Sequence, residues 1–277
     1  MTGGTSALKV RGLTVAFGRV VAVRDVSLTA RRGETVAIFG ANGSGKTTFL
    51  KAVAGLVPAT RGKVAWRGED VSALPAHERA ARGVRYVSDR SRIATRMTVL
   101  ENLEAGAWLL PPSRWGAARE RVFSLFPALA SMARSPAGVL SGGERQMLIL
   151  GRALVAEPTL LLMDEPFLGL SREVRDRLLS VIEGTLKGRT TILFAEHDAE
   201  GAYRLLDRHV IFRNGSLVHE GTRSDVTDAK ELVSLLYRHY RPGGAPGETT
   251  SEGERKEKSW AGRRAGRWGT GRGKRYR

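Results

Sequence analysis

The sequence predicts an α/β fold: a mostly parallel sheet, an antiparallel β subdomain and an inserted α-helical subdomain. Three observations carry this. Residues 160–164 and 190–195 are nearly continuous apolar runs, the pattern of strands covered on both faces of a parallel sheet. Short β-branched runs alternate with helical patterns from Leu8 to about Arg241. Between them, residues 97–110, 113–130 and 143–154 read as helices, punctuated by Pro111-Pro112 and Ser135-Pro136.

Taken in order, residues 13–17, 20–28 and 35–39 read as strands, and residues 46–55 as the helix after the third. Residues 210–212 and 216–219 flank Arg213-Asn214-Gly215 and read as a hairpin, because Asn-Gly tolerates the positive φ of such a turn. One domain is therefore expected over residues 1–241, with its helical subdomain at about 89–150. After Pro242 aliphatic residues almost vanish, and 242–277 reads as a basic, disordered tail.

The 277 residues are 42% hydrophobic, enough for one large domain. No run reaches the roughly 18 apolar residues of a membrane span, and residues 1–9 lack the pattern of a secretory signal. The chain has no cysteine, so it forms neither disulfides nor thiolate metal sites, which fits a reducing compartment. A soluble cytoplasmic chain is expected. The net charge of +17 invites a nucleic-acid partner. Arginine, however, is far commoner than lysine throughout, as in a compositional bias, and 10 basic against 4 acidic residues beyond Arg241 supply about a third of the excess. No specific nucleic acid is expected.

Gly40-Ala41-Asn42-Gly43-Ser44-Gly45-Lys46-Thr47 matches G-x-x-x-x-G-K-[ST] in full, with a strand before it and a helix after. Phosphate binding needs this arrangement: glycines let backbone N–H groups curl around the oxygens, and the helix N-terminus adds its dipole. Gly40, Asn42, Gly43, Ser44, Gly45, Lys46, Thr47 and Thr48 are the candidate contacts for ATP. Lys46 suits the β- and γ-phosphate oxygens, and the Thr47 hydroxyl suits Mg2+. Leu160 to Met163 then deliver Asp164-Glu165 to the carboxyl end of a strand, where ligands bind in open α/β sheets. Asp164 can support Mg2+ through water, and Glu165 can polarise an attacking water as general base. The predicted core is that of a P-loop NTPase.

Leu140-Ser141-Gly142-Gly143-Glu144-Arg145-Gln146 narrows the reading further. Ser141 and two glycines at a helix start make a second anion site, and Ser141 with Glu144 also reads as a capping box. Here the chain resembles the ATP-binding cassette family, whose signature is LSGGQ or LSGGE ahead of a helix. The resemblance spans Leu8 to about Arg241. It implies that Ser141, Gly142 and Gly143 bind the γ-phosphate held by a partner's phosphate loop, so that activity requires a dimer. It implies adenine stacking on Phe17, where the family usually has tyrosine. It also makes His197 the residue that contacts the γ-phosphate, and Lys46, Glu165 and His197 the catalytic set. Leu168-Gly169-Leu170-Ser171 fills the family's partner-facing loop, although Ser171-Arg172 departs from its common ending. Asp89 stands where the family has Gln or Glu within V-P-[QE]-G-R. It joins Thr47 and Asp164 as a candidate for the metal, and its shorter side chain predicts weaker Mg2+ or water positioning, or altered coupling.

Residues 97–103, 125–129, 140–154 and 167–170 are similar to those of importer subunits for branched-chain amino acids and related amides such as urea. That similarity implies a second cassette ATPase, identical or paralogous, and permease subunits at the cytoplasmic face of the membrane. An extracytoplasmic solute-binding protein would select the solute. The helical insert, from Asp89 to about Gly138, would carry the groove for a permease helix. An exporter subunit or a soluble cassette ATPase is the alternative. Soluble members usually carry tandem cassettes or a long coiled-coil insert, and this chain shows neither.

Overall fold

The structure, a computed structural model, describes residues 6–88, 93–197 and 199–240. Asp89 and the tail at 242–277 lie outside the described residues. The strands in chain order are β1 (Ser6–Phe17), β2 (Val20–Arg31), β3 (Thr35–Gly40), β4 (Arg61–Trp66), β5 (Glu69–Asp70), β6 (Val84–Ser88), β7 (Leu160–Asp164), β8 (Thr191–Ala195), β9 (Arg208–Arg213) and β10 (Ser216–Thr222). The helices are α1 (Lys46–Val53), α2 (Ala76–Ala81), α3 (Val99–Gly106), α4 (Pro112–Leu125), α5 (Pro127–Ser131), α6 (Gly142–Leu154), α7 (Arg172–Thr185), α8 (Ala199–Leu205) and α9 (Ala229–Tyr240). No described helix is long and apolar enough to cross a membrane.

β9-β3-β8-β7-β6 form a parallel sheet, and β10 closes one edge antiparallel to β9. The predicted hairpin is thus part of the main sheet, and its turn has Asn214 and Gly215 at φ 50° and 84°. A separate antiparallel sheet, β2-β1-β4-β5, is the β subdomain. The central strands are apolar throughout because successive side chains enter two different cores. Phe39, Met163 and Phe194 pack with residues of α6 and α7, whereas Ile38, Leu162 and Leu193 pack with β1, β2 and α1.

The structure departs from the sequence pattern in specific places. β1 starts seven residues ahead of the predicted 13–17, and its ladder to β2 slips between Val10 and Leu13, around Gly12 at φ 57°. The irregularity hides the alternation a strand would show. β4, β5, α2 and β6 are short, and no periodic pattern announces them. The predicted helix at 97–110 spans only Val99–Gly106, and a capping box sets its start: Thr98 Oγ1 accepts from Glu101 N at 3.1 Å, and Thr98 N donates to Glu101 Oε2 at 2.7 Å. The segment at 113–130 is two helices, α4 and α5, because Pro127 has no N–H with which to continue α4.

Candidate active site

β3, β8 and β7 are neighbours running in one direction, so their carboxyl ends converge. From these ends come the 40–47 loop, Glu196-His197 and Asp164-Glu165 respectively. The loop is a close backbone fit. Gly45 has φ 105°, and a Cβ there would lie 2.5 Å from the Ala22 carbonyl of β2. Only glycine combines that φ with that approach. Gly40 is similarly tight against Ser44. The Ser44 hydroxyl is buried without a hydrogen-bond partner, a donor left for a ligand oxygen. Asn42 and Gly43 are exposed on the loop, and Thr48 is half-buried in the first turn of α1.

Lys46 is buried and donates Nζ hydrogen bonds to Gly40 O at 2.6 Å and Ala41 O at 3.2 Å. Burial pushes its ammonium below the usual lysine range, opposed by the carboxylates of Glu165, Asp164 and Glu196. Thr47 Oγ1 donates to Asp164 Oδ1 at 3.0 Å, which unites the candidate metal ligands from β7 and α1. A hydroxyl and a carboxylate are the hard oxygen donors Mg2+ takes, with phosphates and water completing its shell. Among the described residues no group of three or more His, Cys, Asp or Glu could hold a metal alone. This donor set therefore fits a metal that arrives with a nucleotide.

Glu165 follows Asp164 with φ 52°, a left-handed conformation rare for a residue with a side chain. Strain of this kind collects at functional sites. His197 Nε2 lies 2.8 Å from Glu165 Oε1, so the ring donates when Nε2 carries the proton. Both side chains remain solvent-accessible, at 39% for His197 and 24% for Glu165.

Other predicted residues are placed less directly. Phe17 is 54% exposed at the tip of the β1–β2 hairpin, opposite Val20. Val20, its partner on β2, is two residues before Ala22, whose carbonyl approaches Gly45 of the phosphate loop. Ser141 caps α6: Ser141 N donates to Glu144 Oε2 at 2.8 Å, and Glu144 N donates to Ser141 Oγ at 3.3 Å. Ser141 and Gly142 are exposed and Gly143 half-buried. Among the described residues, no hydrogen bond or ion pair joins this helix start to the phosphate loop.

Three further residues enter the site without a role assigned to them from the sequence. Tyr86 of β6 donates its hydroxyl to Asp164 Oδ2 at 2.9 Å. Glu196, buried, accepts from Phe167 N at 3.3 Å and from His197 N at 3.0 Å. Gln146 Nε2, in α6, donates to Pro166 O at 2.8 Å and ties the helical insert to the loop after Glu165. Gln146 stands in the 140–146 motif and Glu196 directly closes an apolar run, whereas nothing in the sequence marks Tyr86.

Residues 23–168, just over half of the chain, match the family model described as ABC transporter. The high-affinity branched-chain amino acid transport ATP-binding protein BraG of Pseudomonas aeruginosa is 35% identical over 206 residues, covering 74% of this chain and 88% of that protein. The sulfate/thiosulfate import ATP-binding protein CysA of Photorhabdus laumondii is 36% identical over 228 residues, covering 79% of this chain but 62% of its own length. Among solved structures, an ATP binding subunit of an ABC transporter superposes with a TM-score of 0.74 at 27% identity, over 84% of this chain and all of that one. Sequence match and site geometry agree: the chain belongs to the ABC transporter family, as one of its ATP-binding cassettes, an ATPase.

Proposed function

We propose that the chain is the ATP-hydrolysing subunit of an importer for branched-chain amino acids or related amides. In this reading it pairs with a second cassette, identical or paralogous, beneath permease subunits at the cytoplasmic face of the membrane. An extracytoplasmic binding protein selects the solute. The observation that carries the hydrolytic part is the 2.8 Å contact of His197 with Glu165, beside a buried Lys46 and the Thr47–Asp164 pair.

Gly40, Asn42, Gly43, Ser44, Gly45 and Thr48 wrap the triphosphate, and the Ser44 hydroxyl, which has no hydrogen-bond partner within the chain, donates to a phosphate oxygen. Lys46 exchanges the carbonyls of Gly40 and Ala41 for β- and γ-phosphate oxygens, which restores charge balance around its buried ammonium. Thr47 and Asp164 would hold Mg2+, which when bound neutralises charge on the transferring phosphoryl group. Glu165 accepts hydrogen from the attacking water and orients it. His197 fixes the Glu165 carboxylate and reaches the γ-phosphate from its exposed ring. The exposed face of Phe17 stacks on adenine. Catalysis is then positional and electrostatic, as phosphoryl transfer requires.

The exposed helix start at Ser141 and Gly142 supports a dimer, since among the described residues no hydrogen bond or ion pair ties it to the phosphate loop of its own chain. The identity to BraG over 88% of its length favours the amino-acid class over sulfate, where the chain spans 62% of the relative. The test is affinity capture from native membranes with Glu165→Gln and MgATP, followed by mass spectrometry. That substitution is expected to slow turnover by roughly 100-fold or more. Permeases and a second cassette ATPase should be recovered. Ribosomes, or no membrane protein at all, would defeat the transport reading.

A further inference from the structure

Glu196 sits where three parts of the site meet, and no motif accounts for it. Its side chain is 4% exposed, although a carboxylate is expensive to bury unless hydrogen bonds or charges compensate it. The two oxygens do different jobs. Oε1 accepts from Phe167 N, at the start of the loop that runs through Leu168-Gly169-Leu170 to Ser171, and Oε2 accepts from His197 N. The main chain of Glu196 donates to Ile38 O of β3, two residues ahead of the phosphate loop. Its negative charge also bears on the Lys46 ammonium. One buried residue therefore touches the strand feeding the phosphate loop, the loop after Glu165 and the backbone of the histidine that holds Glu165.

The surrounding chain makes this link consequential. Leu168 is 59% exposed at the outer end of a loop whose inner end, Pro166-Phe167, is buried. Leu168 N and Leu170 N donate locally, to Glu165 O and Phe167 O. The loop is therefore exposed outside and anchored at its root by Glu196 and by the Gln146–Pro166 bond. A displacement of the outer loop would be felt at Phe167 N, whose acceptor Oε1 shares one carboxyl group with the Oε2 that receives His197 N.

We propose that Glu196 is a positioning residue for hydrolysis, tying the exposed 168–171 loop to His197 so that the placement of this loop sets the imidazole against Glu165. The proposal rests on the ATPase reading above. It assigns Glu196 no contact with nucleotide or water. Binding of ATP should therefore survive its alteration while turnover does not.

The test uses the full chain with Glu196→Gln, which preserves size but offers one oxygen and one NH2 group. Whichever way the amide is turned, one of the two backbone N–H donors faces another donor. Three quantities are measured: ATP turnover, binding of a fluorescent ATP analogue, and the ring Cε1–H NMR signal of His197. The last is identified by its disappearance in His197→Ala. The expected result is a fall in kcat of roughly tenfold or more. Nucleotide affinity should stay within about twofold, and the His197 signal should shift or split while that of His209 stays in place. Glu196→Asp, which keeps the charge but is one methylene too short to span both donors, should reproduce this pattern. An unchanged His197 signal in both variants overturns the proposal. So does a parallel loss of nucleotide binding and turnover, which would make Glu196 a fold residue. Nucleotide binding without turnover in the wild-type chain and its permease complex would instead defeat the ATPase reading, a result distinct from either.

Discussion

Asp164 is 4% exposed and held from two sides, by Thr47 at Oδ1 and by Tyr86 at Oδ2. A carboxylate so gripped is fixed in orientation before any cation arrives, which lowers the cost of ordering it on binding. Tyr86→Phe removes one hydroxyl and little else. A hydrogen bond to a charged acceptor contributes about 1.5–3 kcal/mol, so the Mg2+ concentration for half-maximal nucleotide binding should rise roughly tenfold. Titration of a fluorescent nucleotide against Mg2+ checks this, and an unchanged midpoint in Mg2+ removes Tyr86 from the site. Tyr86 also shows where residue-level reading of the sequence ends. Lys46, Thr47, Asp164 and Glu165 are legible because their chemistry depends on neighbours within a few positions. Tyr86 meets Asp164 across 78 positions, and only the pairing of β6 with β7 brings them together. Glu196 is similar: its neighbour His197 is local, but its second donor lies 29 positions away.

Elements become fragile where a functional loop needs a rigid support, and α1 is the case in point. It has eight residues, too few to be stable alone, and its start carries the phosphate loop. Its other end is capped from outside. Arg79 of α2, 4% exposed, donates from Nη1 to Ala52 O and Val53 O at 2.8 Å each. It also donates from Nε to Leu74 O at 2.9 Å and from Nη2 to Ser72 O at 3.0 Å. A cation at the last carbonyls of a helix opposes the negative end of its dipole. Arg79→Ala leaves these buried carbonyls without that donor and should cost on the order of 2–4 kcal/mol. Urea unfolding measures the loss, and a change under about 0.5 kcal/mol would show that water replaces the guanidinium without penalty. None of this is visible in the sequence, because α2 has six residues and no apolar stripe. Longer or capped elements were legible. α6 announces itself through Ser141 and Glu144, and β7 and β8 through unbroken apolar runs. The apolar periodicity at 113–130 does not show its division, which depends on the single proline at 127.

At the scale of the molecule, the expected boundary near residue 241 gives one prediction. Removing residues 242–277 should leave basal hydrolysis within about twofold, since this segment lacks the aliphatic residues a core requires. Collapse of activity would move the boundary. A second prediction concerns how acid acts on the end of the domain. His209 of β9 is fully buried, and neither ring nitrogen has a hydrogen-bond partner. His219 of β10 stacks beside it at 5.5 Å, and His239 of α9 lies 4.8 Å beyond, so the imidazoles link sheet edge to last helix. Burial, with smaller contributions from His219 and His239, lowers the His209 pKa to about 4, against an opposing pull from Asp225. Burial also lowers His239, reinforced by His219, Arg213 and Arg238. A histidine whose folded pKa lies below its unfolded value is neutral in both states above the unfolded pKa. There it costs nothing. As pH falls from about 6.5 toward 4, the unfolded chain takes up the proton first, and stability drains away over that window. For His209 the integrated loss is on the order of 3 kcal/mol. His209→Phe keeps an apolar ring in a place that offers no hydrogen bond and removes the titration. Urea unfolding between pH 7.5 and 4.5 should then fall less steeply for the variant than for the wild type, with the two curves diverging below about pH 6.5. Parallel curves would mean that the buried imidazole already titrates freely, and that the histidine column contributes nothing to the acid response of the domain.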